Sequence, residues 1–191
     1  MRIFANVNSM FHYLKLMLQL AMSPAKGWED IAAGADSSRR TLTRGLLPVI
    51  GVAALTVFIG AFYALRPSFG ALLIGSVITF AKYSITYFVG VAVLTFALPR
   101  LAEGAIPERE SVEIFCAYSV GLMAVIGTLE NLLPMQLSLL QFLPLLVIVV
   151  MCLGRNFLNI DEKRIFQFAA VVTLSLVLPV FLIGSLVGAA A

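Results

Sequence analysis

The chain has 191 residues, of which 61% are hydrophobic and only 12% charged, with a mean hydropathy of +1.01. A soluble globular domain is nearer half apolar and a quarter charged, so a soluble fold is excluded. The net charge of +3 does not point to nucleic acid, because the basic residues lie where membrane topology needs them.

Residues 9–22 are predicted to form a helix. Asn8, His12, Lys15, Gln19 and Ser23 recur in steps of three and four and make one polar stripe. Phe11, Tyr13, Leu14, Leu16, Met17, Leu18 and Leu20 cover the rest of its surface. The segment is too short and too interrupted to span. It is expected to lie flat in the interface as an amphipathic helix, to pack on the cytoplasmic ends of a bundle, or to do both. The same interruptions, without a small-x-small cleavage site, predict that no signal peptide is removed and that the chain is retained whole. Ser23-Pro24 has the form of a helix N-cap followed by proline. A second helix over 24–33 carries the only tryptophan, Trp28, with Ile31 one turn later. Trp28 is expected at headgroup level, where its N–H meets water or lipid. Residues 34–38 have turn composition. Arg39, Arg40 and Arg44 then lead into the first span, and such a cluster attracts anionic lipid at roughly 1 kcal/mol per basic residue. Topology alone is the plainer account of the same arginines.

Five long apolar segments follow, over 45–65, 71–98, 112–129, 136–153 and 165–189. Each approaches or exceeds the ~20 residues needed to cross the hydrocarbon core, and none shows the short alternating pattern of a barrel strand. Of the thirteen basic residues, Arg2, Lys15, Lys26, Arg39, Arg40 and Arg44 precede the first segment. Arg66 follows it. Arg100 and Arg109 separate the second and third, and Arg155, Lys163 and Arg164 separate the fourth and fifth. Lys82 lies within the second. Basic residues stay on the cytoplasmic side of short loops. The expected fold is therefore an all-α integral membrane bundle of five transmembrane helices, N-terminus cytoplasmic and C-terminus outside. Residues 1–44 form a cytoplasmic or interfacial prelude and 45–189 the bundle.

Pro48 is placed in the first turn of the first span, where it costs little. Pro144 and Pro179 are expected to kink the fourth and fifth, and Pro99 to end the second. Glu108, Glu110 and Glu113 suit the positive end of the third helix. Gly184-xxx-Gly188 permits close helix contact, within the monomer or in a homo-oligomer.

Catalytic chemistry is sparse. With one histidine, no histidine-based zinc motif is available, and no phosphate loop or paired-cysteine motif occurs. Cys116 and Cys152 fall inside spans as packing residues. No enzyme activity, metal or cofactor is predicted. Lys82 is the sharpest residue, since an ionisable group within a span is a functional candidate that needs a partner. If only the last ~20 residues of its segment are embedded, it lies about 6 Å inside the outer boundary and can snorkel outward. If the whole segment is embedded, it sits near mid-bilayer and must pair. Glu130 is the only acid expected on the outer side, and Thr79 and Thr86 share the lysine's face. These four residues define either a structural contact or a polar cavity for a solute or lipid headgroup.

Ser23-Pro24-x-x-x-Trp28-x-x-Ile31, Leu46-Leu47-Pro48 and Ala117-Tyr118-Ser119, in this order and spacing, resemble bacterial Yip-type proteins over residues 20 to 189. The family takes its name from eukaryotic membrane proteins that interact with Ypt/Rab GTPases. This chain departs from it at Leu101-Ala102-Glu103-Gly104, which has one glycine where a pair is usual, and it lacks the eukaryotic acidic motif. GTPase binding is therefore not carried over. The resemblance implies a multi-pass protein of the bacterial cytoplasmic membrane without an assigned activity.

The expected role is a non-enzymatic scaffold or adaptor, with Trp28, Arg39, Arg40 and Arg44 meeting anionic lipid headgroups or a membrane or cytoplasmic protein partner. The rival is a transporter or lipid-handling protein built on Lys82, Glu130, Thr79 and Thr86.

Overall fold

A computed structural model describes residues 2–34, 37–60, 62–63, 68–102, 105–133 and 143–190, with side chains between residues 9 and 185 of those ranges. These residues are predominantly helical and contain no strand; an isolated bridge joins Ala102 to Ile160. The helices are α1 (Arg2–Met22), α2 (Pro24–Ala33), α3 (Ser38–Gly60), α4 (Phe69–Arg100), α5 (Arg109–Leu132), α6 (Leu143–Leu158) and α7 (Glu162–Ser185, with helical backbone continuing to Ala190). Four of them, α3, α4, α5 and α7, are long and apolar enough to cross a membrane. The described α6 is a shorter apolar helix. Residues 136–142, which the sequence assigns to the fourth span, lie outside the described residues. So do Asp36, Arg66, Glu103 and Gly104.

Helix α5 is the hub. Buried positions make up 67% of its most apolar stretch, against 28–39% in the other three long helices. It buries every residue from Phe115 to Ala124. Around it, α4 turns Tyr83, Tyr87, Gly90 and Leu94 inward at steps of four, three and four, while Ile74, Val77, Phe88 and Phe96 are exposed. In a bilayer an exposed apolar belt faces hydrocarbon, so the bundle gains little from burying it and is held by close packing and hydrogen bonds. Gly90 serves that end: Leu176 of α7 occupies the space a Cβ would need.

Pro48 stands well inside α3, because the helix begins at Ser38 and not at residue 45 as expected. A π-helical stretch, Thr41–Leu46, precedes Leu47-Pro48, and Leu47 N–H donates to Leu42 C=O one residue further back than in an α-helix. The same device, Thr173–Val177, precedes Leu178-Pro179, with Leu178 N–H donating to Thr173 C=O. Widening the turn ahead of proline relieves the clash of its ring with the preceding carbonyl. Both interior prolines are accommodated this way. Pro144 is the second residue of the described α6.

Helices α1 and α2 are part of the core. Tyr13, Leu16, Met17, Leu20, Trp28 and Ile31 belong to the same apolar cluster as the long helices. Tyr13 is 3% exposed, stacks on Tyr118 at 4.6 Å between ring centroids, and donates its hydroxyl to Ala117 C=O at 2.8 Å. A Cβ on either Gly45 or Gly121 would collide with this ring or its hydroxyl. Burial pushes the Tyr13 phenol well above its ordinary range, with Tyr118 and Tyr87 adding to the effect, so it remains a donor. Trp28 corrects the sequence expectation. It lies 3% exposed inside the bundle, shielded from lipid and water, stacked on Phe115 at 4.9 Å, with Nε1 donating to Val150 C=O at 2.9 Å. Its N–H finds a backbone acceptor where lipid or water was expected. Ser23 occupies the N-cap position of α2 but makes no side-chain capping bond. Gln19 instead ties α1 to α2 through Asp30, and Gly27 lets the two helices cross closely at Leu20. On its outer side α1 leaves Phe11, Leu18 and Met22 exposed next to His12 and Lys15.

Polar links gather the basic ends of the helices. Ser38 N–H donates to Glu110 Oε1 at 2.9 Å, Arg109 pairs with Glu113 at 2.9 Å and Arg155 with Glu162 at 3.1 Å. Arg164 donates to Arg100 C=O. Glu110 and Glu113 are thus engaged by specific partners rather than by the helix dipole alone. At the α6–α7 turn Asn159 adopts the left-handed conformation, φ 51°, which asparagine tolerates well.

Replacing Gly121 with leucine should expel Tyr13, lower the melting temperature in detergent and open α1 to protease. Tyr13→Phe loses only the hydroxyl bond and should cost about 0.5–1.5 kcal/mol. Unaltered protease protection of α1 in Gly121→Leu would show that Tyr13 does not hold this helix.

Candidate binding cavity

A lysine on an apolar helix must find hydration, a partner or a π face. Lys82 lies one position before the inward-facing Tyr83, so its side chain is half-buried at the edge of the α4 contact line. Its Nζ sits 4.6 Å from the centroid of the Tyr83 ring, within the range of a cation–π interaction. The Tyr83 hydroxyl donates to Met123 C=O at 3.3 Å, and the absence of a side chain at Gly127 leaves it room.

From α5, Met123, Ile126, Gly127 and Glu130 follow at steps of three, one and three, which places them on one helical face. Val180, Phe181, Gly184 and Ser185 face them from α7, and Pro144 closes a further side from α6. Together with Lys82 and Tyr83 they enclose about 300 Å³, the lower end of the range for small-ligand sites. Glu130 is exposed at one edge. Among the described residues, the ion pairs with contacts under 4.0 Å are Arg109–Glu113 and Arg155–Glu162, so the two cavity charges share a space without closing a pair.

The two threonines do not join them. Thr86 is fully buried and its hydroxyl donates to the backbone C=O of Lys82 at 2.8 Å, the usual i−4 bond of a helical threonine. Thr79 is half-buried and does not line the cavity. Sequence spacing placed both on the lysine's face, but it could not show where their hydroxyls bond. Sequence reasoning also missed Tyr83, Phe181 and the α5 face Met123-x-x-Ile126-Gly127-x-x-Glu130, whose helical periodicity was legible around Glu130. It missed a second intramembrane polar contact as well. Asn131 donates to Thr56 Oγ1 at 3.2 Å, and Thr56 donates to Ala53 C=O at 2.8 Å, which joins α5 to α3.

Arg39, Arg40 and Arg44 are exposed and line a surface cleft with Ser37 and Thr43. Trp28 does not stand among them: its cleft is lined by Ala25, Glu29, Ala32, Leu153, Asn156 and Phe157. The expected joint lipid or partner surface of Trp28 with the arginines is not assembled.

No family model, characterised protein or solved structure matches this chain. Of the residues that carry the Yip-type resemblance, Trp28, Ile31, Leu46, Ala117, Tyr118 and Ser119 are buried in the packing of the bundle. Trp28 sits against Phe115, and Ala117 and Tyr118 receive Tyr13. None of them lines the Lys82–Glu130 cavity.

Comparing Lys82→Met, Glu130→Gln and the double variant in detergent should give a coupling energy below about 1 kcal/mol, as for a solvent-accessible pair. A coupling of about 3 kcal/mol or more would mean that the two form a closed buried pair.

Proposed function

We propose that this protein binds an amphiphilic ligand in the cavity between α4, α5, α6 and α7, and acts as a non-enzymatic lipid-handling or transport component of the bacterial cytoplasmic membrane. The observation that carries the reading is the sharing of one apolar-walled cavity by Lys82 and Glu130. Apolar walls with two convergent charges suit a ligand that has both a hydrocarbon part and a polar head. A purely structural lysine would instead be sealed by side chains.

On this reading the chain is a Yip-type protein with five spans, the N-terminus inside and the C-terminus outside. The clustering of Arg39, Arg40, Arg100, Arg109, Arg155, Lys163 and Arg164 with the Ser38–Glu110 and Arg164–Arg100 links supports that end as the cytoplasmic one. The cavity then belongs to the outer half of the membrane, next to the last turns of α5 and near the middle of α4. Helix α1 lies at the cytoplasmic interface, with Phe11, Leu18 and Met22 toward lipid and Lys15 and His12 toward water. The scaffold or adaptor reading keeps one supporting feature, the cleft of Arg39, Arg40 and Arg44, which suits anionic headgroups or an acidic partner. The burial of Trp28 removes the other.

Gly184 tests the cavity cleanly, because no described residue lies within 4 Å of a Cβ built there. Gly184→Leu should fill the space without clash. In mild detergent the wild-type protein should be thermally stabilised by added bacterial polar lipid, and the variant should lose most of that gain. Equal stabilisation of both would remove the cavity from the account. For topology, a reporter fused after Ala191 should be active only outside the cytoplasmic membrane; cytoplasmic activity would mean an even number of spans.

A further inference from the structure

Among the described residues the charges lining the cavity sum to zero, one lysine and one glutamate, and they do not neutralise each other in an ion pair. We propose that the ligand is itself zwitterionic. Its phosphate or carboxylate would meet Lys82, its protonated or quaternary amine Glu130, and its apolar part Ile126, Val180 and Phe181. The inference rests on the amphiphile-binding reading and names the ligand's chemical class.

Three features select this class. Beside apolar walls a charge is solvated less well than in open water, so a partly solvated site holding one cation and one anion favours a ligand that brings one of each. A singly anionic head would gain Lys82 but bring its charge toward Glu130, and a cationic one would meet the reverse penalty. Specificity of this kind comes from the repulsive partner as much as from the attractive one. The Tyr83 ring holds the Lys82 ammonium through its π face, an interaction that leaves the ammonium's N–H donors available to an anionic oxygen. The Tyr83 and Ser185 hydroxyls already donate to Met123 C=O and Leu182 C=O, so among the described lining side chains the lysine is the donor left for an anion. Finally, the apolar walls and the open position at Gly184 leave space for a chain beside the two charges.

A zwitterionic phospholipid head and a free zwitterionic solute share this chemistry. The purified full chain in a non-ionic detergent is melted in the presence of short-chain phosphatidylethanolamine, phosphatidylglycerol with the same acyl chains, or free glycerophosphoethanolamine, whose phosphodiester keeps the head at net zero charge. Phosphatidylethanolamine is expected to stabilise at about tenfold lower concentration than phosphatidylglycerol. If free glycerophosphoethanolamine also stabilises, the proposal holds with a soluble ligand; if it does not, the proposal holds with a lipid. Equal or better stabilisation by phosphatidylglycerol overturns the zwitterion assignment while amphiphile binding stands. If none of the three stabilises, amphiphile binding fails with it. In Glu130→Gln the preference for phosphatidylethanolamine over phosphatidylglycerol should fall toward parity, and in Lys82→Met both lipids should weaken. A preference that survives in both variants also overturns the proposal.

Discussion

The placement of Tyr13 is the constraint on which the rest of the molecule is arranged. Its ring enters from α1 into the space that Gly45 of α3 and Gly121 of α5 leave free, and its hydroxyl takes Ala117 C=O. One side chain thus sets the distance between three helices. Lipid tails are as apolar as the residues they touch, so burial of hydrocarbon does little to hold such helices together. Close approach and satisfied polar groups do that work. Trp28 repeats the arrangement one helix later, with Gly154 making room and Val150 C=O accepting its N–H.

This N-terminal lock and the Lys82–Glu130 cavity use the two halves of the same helix. The α5 segment from Phe115 to Ala124 is packed on all sides. Further along, Ile126, Gly127 and Glu130 line open volume. Dense packing at one half gives the cavity at the other a firm wall. Tyr83 shows the coupling in miniature: its hydroxyl is anchored on α5 backbone while its ring carries the Lys82 ammonium.

Much of this architecture was legible in the chain. The long apolar runs announced α3, α4, α5 and α7, and the arginines and lysines marked one end of the bundle. Lys82 and Glu130 were singled out by their rarity in apolar surroundings, and the structure brings them to one cavity. The role given to Trp28 was not kept, because an indole is equally suited to a headgroup layer and to a core with a free carbonyl. Thr79 and Thr86 were placed by spacing, yet a helical threonine most easily bonds its own backbone. Pro48 was misplaced because the helix starts in the polar segment Ser38–Arg40, which hydropathy does not mark as part of a span. Among the described residues nothing lies within 4 Å of a Cβ built at Gly184, which lines the cavity.

The sequence by itself determined that the protein is helical, that it carries several helices able to cross a membrane, and where its charge is concentrated. These properties come from composition and short-range periodicity, which each segment holds without reference to the others. Only the tertiary structure decided that the first two helices belong to the core, and that Lys82 and Glu130 share a space without pairing. Those outcomes depend on contacts such as Tyr13 with Ala117 and Trp28 with Val150, separated by 104 and 122 residues. A glycine in the sequence shows that a side chain is missing. Which distant aromatic fills the gap depends on how the helices cross.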